Sequence, residues 1–223
     1  MSGKRVTFIG GAMAAVVQGV KEVRTLIGYS PVVVGGLAVM CRLSNPYRVT
    51  TDLDVVDRLF GEVPQLQVLR AARGAEPVEP ASVLLPTAYG QVKVDVLEVR
   101  QIEIDQPSDD PGDRLHAFSH AWANDSATEV AIEVTPLSGA HIEVGALVAE
   151  PGPLVAMKLQ AIMNRVAAKQ GTDLQDIALH VDLWLVNRRL QALRWIHDAG
   201  GTDLTLDDLD LVAELLLAAC ARS

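Results

Sequence analysis

The chain has 223 residues, 49% of them hydrophobic and only 4% aromatic, with a formal net charge of -9. That much Val, Leu, Ala and Ile builds a core, so a disordered chain is excluded. The charge excludes a broad surface for non-specific polyanion binding, though not a local basic patch.

In chain order, residues 11–28 carry Ala, Val and Leu at helical spacing, with Lys21, Glu22 and Arg24 between them and Gly28 as a stop. Val32–Val34 opens a strand, and residues 36–43 read as a short helix packed on it. Ser44 to Tyr47 is a turn. A second strand spans 49–56, and residues 57–69 read as a helix interrupted by Pro64. The Pro- and Glu-rich segment 74–81 reads as a loop. Residues 82–86 and 92–99 read as strands, the second with Val92, Val94 and Val96 alternating with Lys93, Asp95 and Leu97. Residues 105–114 are acidic and exposed, and 129–134 and 140–148 are further short strands. At Glu150-Pro151-Gly152-Pro153 the texture becomes helical, with candidate helices over 154–169, 173–189, 190–199 and 206–221. The expected organisation is an α/β part over 1–150 and a helical part over 151–223.

Two cysteines, Cys41 and Cys220, are too few for a disulfide scaffold or a zinc site, and Cys41 reads as a buried thiol. No apolar run approaches the about 18–20 residues of a membrane span. The start of the chain, broken by glycines after Lys4 and Arg5, does not read as a signal peptide. A soluble cytoplasmic protein with no membrane partner is expected. His116 and His120 sit at i, i+4 and read as a solvated pair rather than metal ligands.

The chemistry lies between Val32 and Val56. Gly35-Gly36 follows the first strand and lets backbone or phosphate approach closely. Arg48 and Thr50 precede Asp52-Leu53-Asp54. Alternation in a strand points Asp52 and Asp54 the same way, and two carboxylates on one face repel unless a cation lies between them. A third carboxylate, Asp95, is flanked by valines. In a central strand it is costly unless paired or metal-bound; on an edge strand it would face water. Two-metal phosphoryl transfer needs two or three carboxylates on adjacent strands, holding ions about 3.5–4 Å apart. Asp52, Asp54 and Asp95 suit that role for two Mg2+ ions, with a nucleoside triphosphate as substrate.

With Gly35-Gly36, a fifteen-residue spacer, Asp52-x-Asp54 and the later Asp95, the chain resembles the nucleotidyltransferase superfamily that includes DNA polymerase β. Arg48-Val49-Thr50-Thr51-Asp52-Leu53-Asp54 resembles the subgroup of AbiEii toxins, the toxin halves of bacterial toxin–antitoxin pairs. In the helical part, Lys158-Leu159-Gln160-Ala161, then Arg165, Lys169, Asp173 and Asp176, resembles that subgroup's later motifs. Lys158, Ala161 and Arg165 at i, i+3 and i+7 share a helical face. The resemblance implies an α/β (α+β) nucleotidyltransferase core, a mixed sheet flanked by helices, with a helical C-terminal part. It implies catalytic roles for Asp52, Asp54, Lys158 and Asp176, and nucleotide contacts from Gly35, Gly36, Arg48, Thr50, Lys158, Arg165 and Asp173. The gap between Lys169 and Asp173 is longer than in the subgroup, which leaves the later acidic role open between Asp173 and Asp176. Thr172 also reads as a simple helix cap.

The activity so implied is Mg2+-dependent transfer of a nucleotide to RNA, at the 3′ end of tRNA, by a toxin with a cognate antitoxin protein. Arg70, Arg73, Arg188, Arg189 and Arg194 are candidate RNA contacts. The same chemistry on a cationic small molecule such as an aminoglycoside, or on a protein hydroxyl, is the alternative. A non-catalytic nucleotide- or partner-binding module is a third.

Overall fold

Valines recurring at every second position give this chain a sheet with one continuous apolar face. The computed structural model describes residues 4–43, 48–136, 140–164, 172–177 and 205. Two units are present. The first comprises the described residues up to Val99 together with Ala123–Ala149; the second comprises Arg100–Trp122 and the described residues from Glu150 onward.

The first unit is a mixed eight-stranded sheet with flanking helices. Its strands are β1 (Lys4–Ile9), β2 (Val32–Val34), β3 (Asp52–Asp57), β4 (Glu76–Glu79), β5 (Ser82–Thr87), β6 (Gly90–Glu98), β7 (Thr128–Thr135) and β8 (Ile142–Val148). Their spatial order is β1-β7-β8-β2-β3-β6-β5-β4. Pairings β1–β7, β2–β8 and β3–β6 are parallel, and the others are antiparallel. Register puts Val33, Leu53, Val55, Val94, Val96, Ala146 and Val148 on one face, all of them buried. Helix α1 (Ala14–Ile27) covers that face with Val16, Val17, Val20 and Val23. Burying each such valine stabilises by about 1.5–3 kcal/mol. α1 approaches so closely that a Cβ on Gly19 would lie 2.7 Å from Val92 Cγ1.

The expected first helix and its Gly28 stop are present, with a 3-10 turn at Gly11–Met13 ahead of the α-helix. Helix α2 (Gly35–Arg42) follows β2 directly, and Cys41 on it is buried, which pushes its thiol pKa up to about 12. Several expectations are corrected. β1 was not expected. β3 begins at Asp52 rather than at 49, because Thr50 is drawn off the ladder, its N–H donating to Met13 Sδ. The expected helix over 57–69 shrinks to α3 (Gln65–Arg70), because Asp57 completes β3 and Pro64 caps α3. The expected loop 74–81 holds β4, where an edge position tolerates Pro77 at a register shift. The Ser44–Tyr47 turn lies outside the described residues.

In the second unit, α4 (Gln101–Asp105) and the greater part of α5 (Pro111–Ser126) are helices that the sequence reading did not anticipate. The expected helix from 154 begins earlier, as α6 (Pro151–Asn164), and residues 172–177 are helical. The remaining C-terminal helices, with Cys220, lie outside the described residues. The expected solvated histidine pair is corrected: His116 and His120 stack with ring centroids 4.1 Å apart, and His120 is buried with Nδ1 2.6 Å from the His116 carbonyl oxygen. Leu115, Ala156 and Trp122 pack together nearby.

Two predictions follow from this packing. Asp57 is buried, and its carboxylate accepts the backbone N–H groups of Leu59 at 2.8 Å and Gln65 at 2.7 Å, fixing a turn in which Leu59 adopts φ 53°. Asp57→Ala leaves two donors unmet, so denaturant unfolding should show a loss of about 2–5 kcal/mol. Burial, then the neighbouring His116, lower the His120 pKa to about 3. The unfolded chain therefore binds a proton at this position that the folded chain refuses. The stability this leaves in place at neutral pH is lost as pH falls from about 6.5 toward 3. His120→Phe should flatten that part of a stability–pH curve; an unchanged acid limb would contradict the assignment.

Candidate active site

The parallel register of β3 on β6 pairs Asp52 with Lys93 and Asp54 with Asp95. These four side chains therefore share the sheet face opposite α1. β6 lies between β3 and β5, so Asp95 is on a central strand and not on an edge. Its side chain keeps 21% exposure.

Gly35 opens α2 with φ +62° and lies flat against Asp54: a Cβ there would sit 1.9 Å from Asp54 Oδ2. Only glycine allows both the backbone angle and the approach. The neighbouring Gly36 is covered by the Arg48–Thr50 segment, since its Cβ would lie 2.9 Å from Thr50 Oγ1 and 3.3 Å from Arg48 Nη2. The Thr50 hydroxyl donates to the Asp52 carbonyl at 3.3 Å, and the Thr51 hydroxyl to Asp52 Oδ1 at 3.2 Å. Gly35, Gly36, Arg48 and Thr50 thus lie with Asp54 at the start of α2, and Asp52, Asp54 and Asp95 share one sheet face without forming a carboxylate group within 4.8 Å of one another.

Sequence reasoning missed two neighbours. Ser82, buried on β5 opposite Asp95, donates its hydroxyl to Asp95 Oδ1. Lys93 Nζ lies 3.2 Å from Asp95 Oδ1 and 2.9 Å from Glu79 Oε2. The hydrogen bond to Glu79, ahead of the contacts with Asp95, raises the Lys93 pKa against a smaller opposing effect of burial, so it stays cationic. Lys93 was legible, because the V-K-V-D alternation puts it on the Asp95 face. Ser82 was not, because its partner is fixed by pairing across strands.

Asp52, Asp54 and Asp95 offer only carboxylate oxygens, the donor set a hard cation such as Mg2+ takes. Asp95 fits a ligand role, since its two donors both occupy Oδ1. Among the described residues, the group of three whose ligand atoms all lie within 4.8 Å of one another is elsewhere: Glu133, His141 and Glu143. Arg5 already pairs with both glutamates there, and Thr7 donates to Glu133 at 3.1 Å, so that charge is answered without a metal.

In the second unit, Lys158 on α6 reaches Asp173 Oδ1 at 2.6 Å and Asp176 Oδ2 at 3.0 Å. Both carboxylates are almost wholly buried, while Lys158 retains 13% exposure. The two aspartates left open by the sequence therefore hold the same ammonium. Arg165, Lys169, Arg188, Arg189 and Arg194 lie outside the described residues. Arg70 is engaged with the Glu79, Pro80 and Ser82 carbonyls, at 2.6, 2.9 and 3.3 Å. Among the described residues no helix is long and apolar enough to cross a membrane.

Neither a protein-family model nor a curated protein matches this chain. Among solved structures it is similar to an antigenic nucleotidyltransferase-like protein from Paracoccidioides brasiliensis, with a TM-score of 0.42 and 18% identity, over 76% of this chain and 75% of that one. A likeness of that size leaves function to the residues themselves.

The Gly35 contact is testable. Gly35→Ala must displace Asp54 and hold alanine at positive φ, so it should cost about 1–3 kcal/mol of stability from the backbone alone. It should also weaken Mn2+ binding measured by calorimetry. A variant with unchanged metal affinity would separate Asp54 from any metal site.

Proposed function

We propose that this chain is a Mg2+-dependent nucleotidyltransferase that moves a nucleoside monophosphate from a triphosphate to an acceptor hydroxyl, releasing pyrophosphate. The observation that carries this reading is the meeting of Gly35 with Asp54, in register with Asp95, while Gly36 lies against Thr50 and Arg48. Asp52, Asp54 and Asp95 would hold the metal, which when bound supplies charge stabilisation at the phosphate and activates the hydroxyl. The glycines let Asp54 and the Arg48–Thr50 segment pack against the start of α2, and the N–H groups opening α2 suit the negative charge of the triphosphate. Arg48 and Thr50 complete that wall. For Lys158 and Arg165 the resemblance alone implies a phosphate contact; within the second unit Asp173 and Asp176 hold the Lys158 ammonium.

The acceptor is RNA, at the 3′ end of tRNA, and the protein is the toxin of a pair with a cognate antitoxin. This finer reading rests on the R-V-T-T-D-L-D and K-L-Q-A resemblances. The net charge of -9 favours a second reading, a cationic small-molecule acceptor such as an aminoglycoside.

Incubation with each labelled nucleoside triphosphate, Mg2+ and total RNA tests both. Label should enter RNA, and Asp52→Ala or Asp54→Ala should cut transfer at least about 100-fold while leaving the protein folded. Growth arrest on expression, lost in Asp52→Ala, supports the toxin reading; antibiotic resistance without RNA labelling supports the small acceptor. Metal-independent nucleotide binding with no turnover on any acceptor would leave a non-catalytic module.

A further inference from the structure

We infer that Ser82 is a positioning residue that aims Asp95 at the metal site, an inference resting on the nucleotidyltransferase reading above. A carboxylate has two oxygens, and here they are treated differently. Oδ1 of Asp95 takes both the Ser82 hydroxyl and the Lys93 ammonium. Both donors are thus spent on one oxygen, and Oδ2 remains for a cation. Metal-binding carboxylates are held in this manner, through hydrogen bonds that fix the ligand's orientation.

Ser82 does the aiming, and Lys93 compensates charge. Ser82 is 2% exposed and directly opposite Asp95 across the β5–β6 pair, so its hydroxyl is anchored by the sheet itself. Lys93 is a long side chain shared with Glu79 on the edge strand β4. It offsets the repulsion between Asp95 and Asp54, which the register sets face to face. A hydroxyl has one proton, here given to Asp95, with Glu79 Oε2 3.3 Å away across the β4–β5 pair. A small buried donor in cross-strand register tolerates little rotation, so it sets the carboxylate plane.

The test is Mn2+ binding by the full chain without nucleotide, followed by transfer at varied Mn2+. Asp95→Ala is the reference for losing the ligand. Ser82→Ala, and the near-isosteric Ser82→Cys whose thiol is a weak donor, should each lower Mn2+ affinity by about 10–100-fold. Nucleotide KM measured at saturating metal should be unchanged, and high Mn2+ should restore much of the lost kcat. A merely structural role would lower the melting temperature without rescue by metal. Wild-type affinity in both Ser82 variants, alongside a weakened Asp95→Ala, overturns the inference and leaves the function standing. Wild-type protein that binds no Mn2+ and transfers nothing overturns the function itself.

Discussion

The candidate site of the first unit depends on the register of β3 against β6. Leu53, Val55, Val94 and Val96 fill one face, and each is worth about 1.5–3 kcal/mol on burial. Because side chains alternate with period two, fixing those four fixes Asp52, Asp54, Lys93 and Asp95 on the other face. A one-residue slip would drive Asp95 into the valine layer. Repulsion between neighbouring like charges near a surface, at most about 4 kcal/mol, is smaller than the aliphatic burial that opposes it. Lys93 reduces it further. The apolar core therefore supplies the energy that keeps like charges together.

Gly35 extends that constraint from the strands to α2. The helix starts with no intervening loop, so its first residue must pass the Asp54 carboxylate. Gly36 does the same for the Arg48–Thr50 segment. The site is thus built on rigid elements, two strands and a helix start, and its least regular member is the segment before Asp52, pinned by Met13, Thr50 and Thr51.

The two units treat charge in contrasting ways. On the sheet, Asp52, Asp54 and Asp95 keep at least partial exposure, and Lys93 pairs with Asp95 and Glu79, an arrangement suited to capturing a cation. In the second unit, one lysine is enclosed by two buried aspartates. Removing Lys158 would leave two buried carboxylates without that ammonium, so its loss threatens folding. Conservative exchange at Lys158 is the more informative substitution.

Local pattern determined a great deal here. Valine alternation marked β6, short strand-like runs marked β2, β5, β7 and β8, helical spacing marked α1, and the Gly-Gly and Asp-x-Asp spacing selected residues that the fold then places near one another. These signals are legible because each lies within one element, where backbone geometry alone sets which side chains share a face. The tertiary structure decided what depends on partners distant in sequence. β1 and β4 became strands because neighbours offered them a ladder, and α3 shortened because Asp57 was claimed by the sheet and by two backbone N–H groups. His120 was buried by packing that no i, i+4 spacing reports. The grip of Ser82 on Asp95 was likewise beyond the sequence. It exists only once β5 pairs with β6 in one register, and pairing across strands is written in no single segment of the chain.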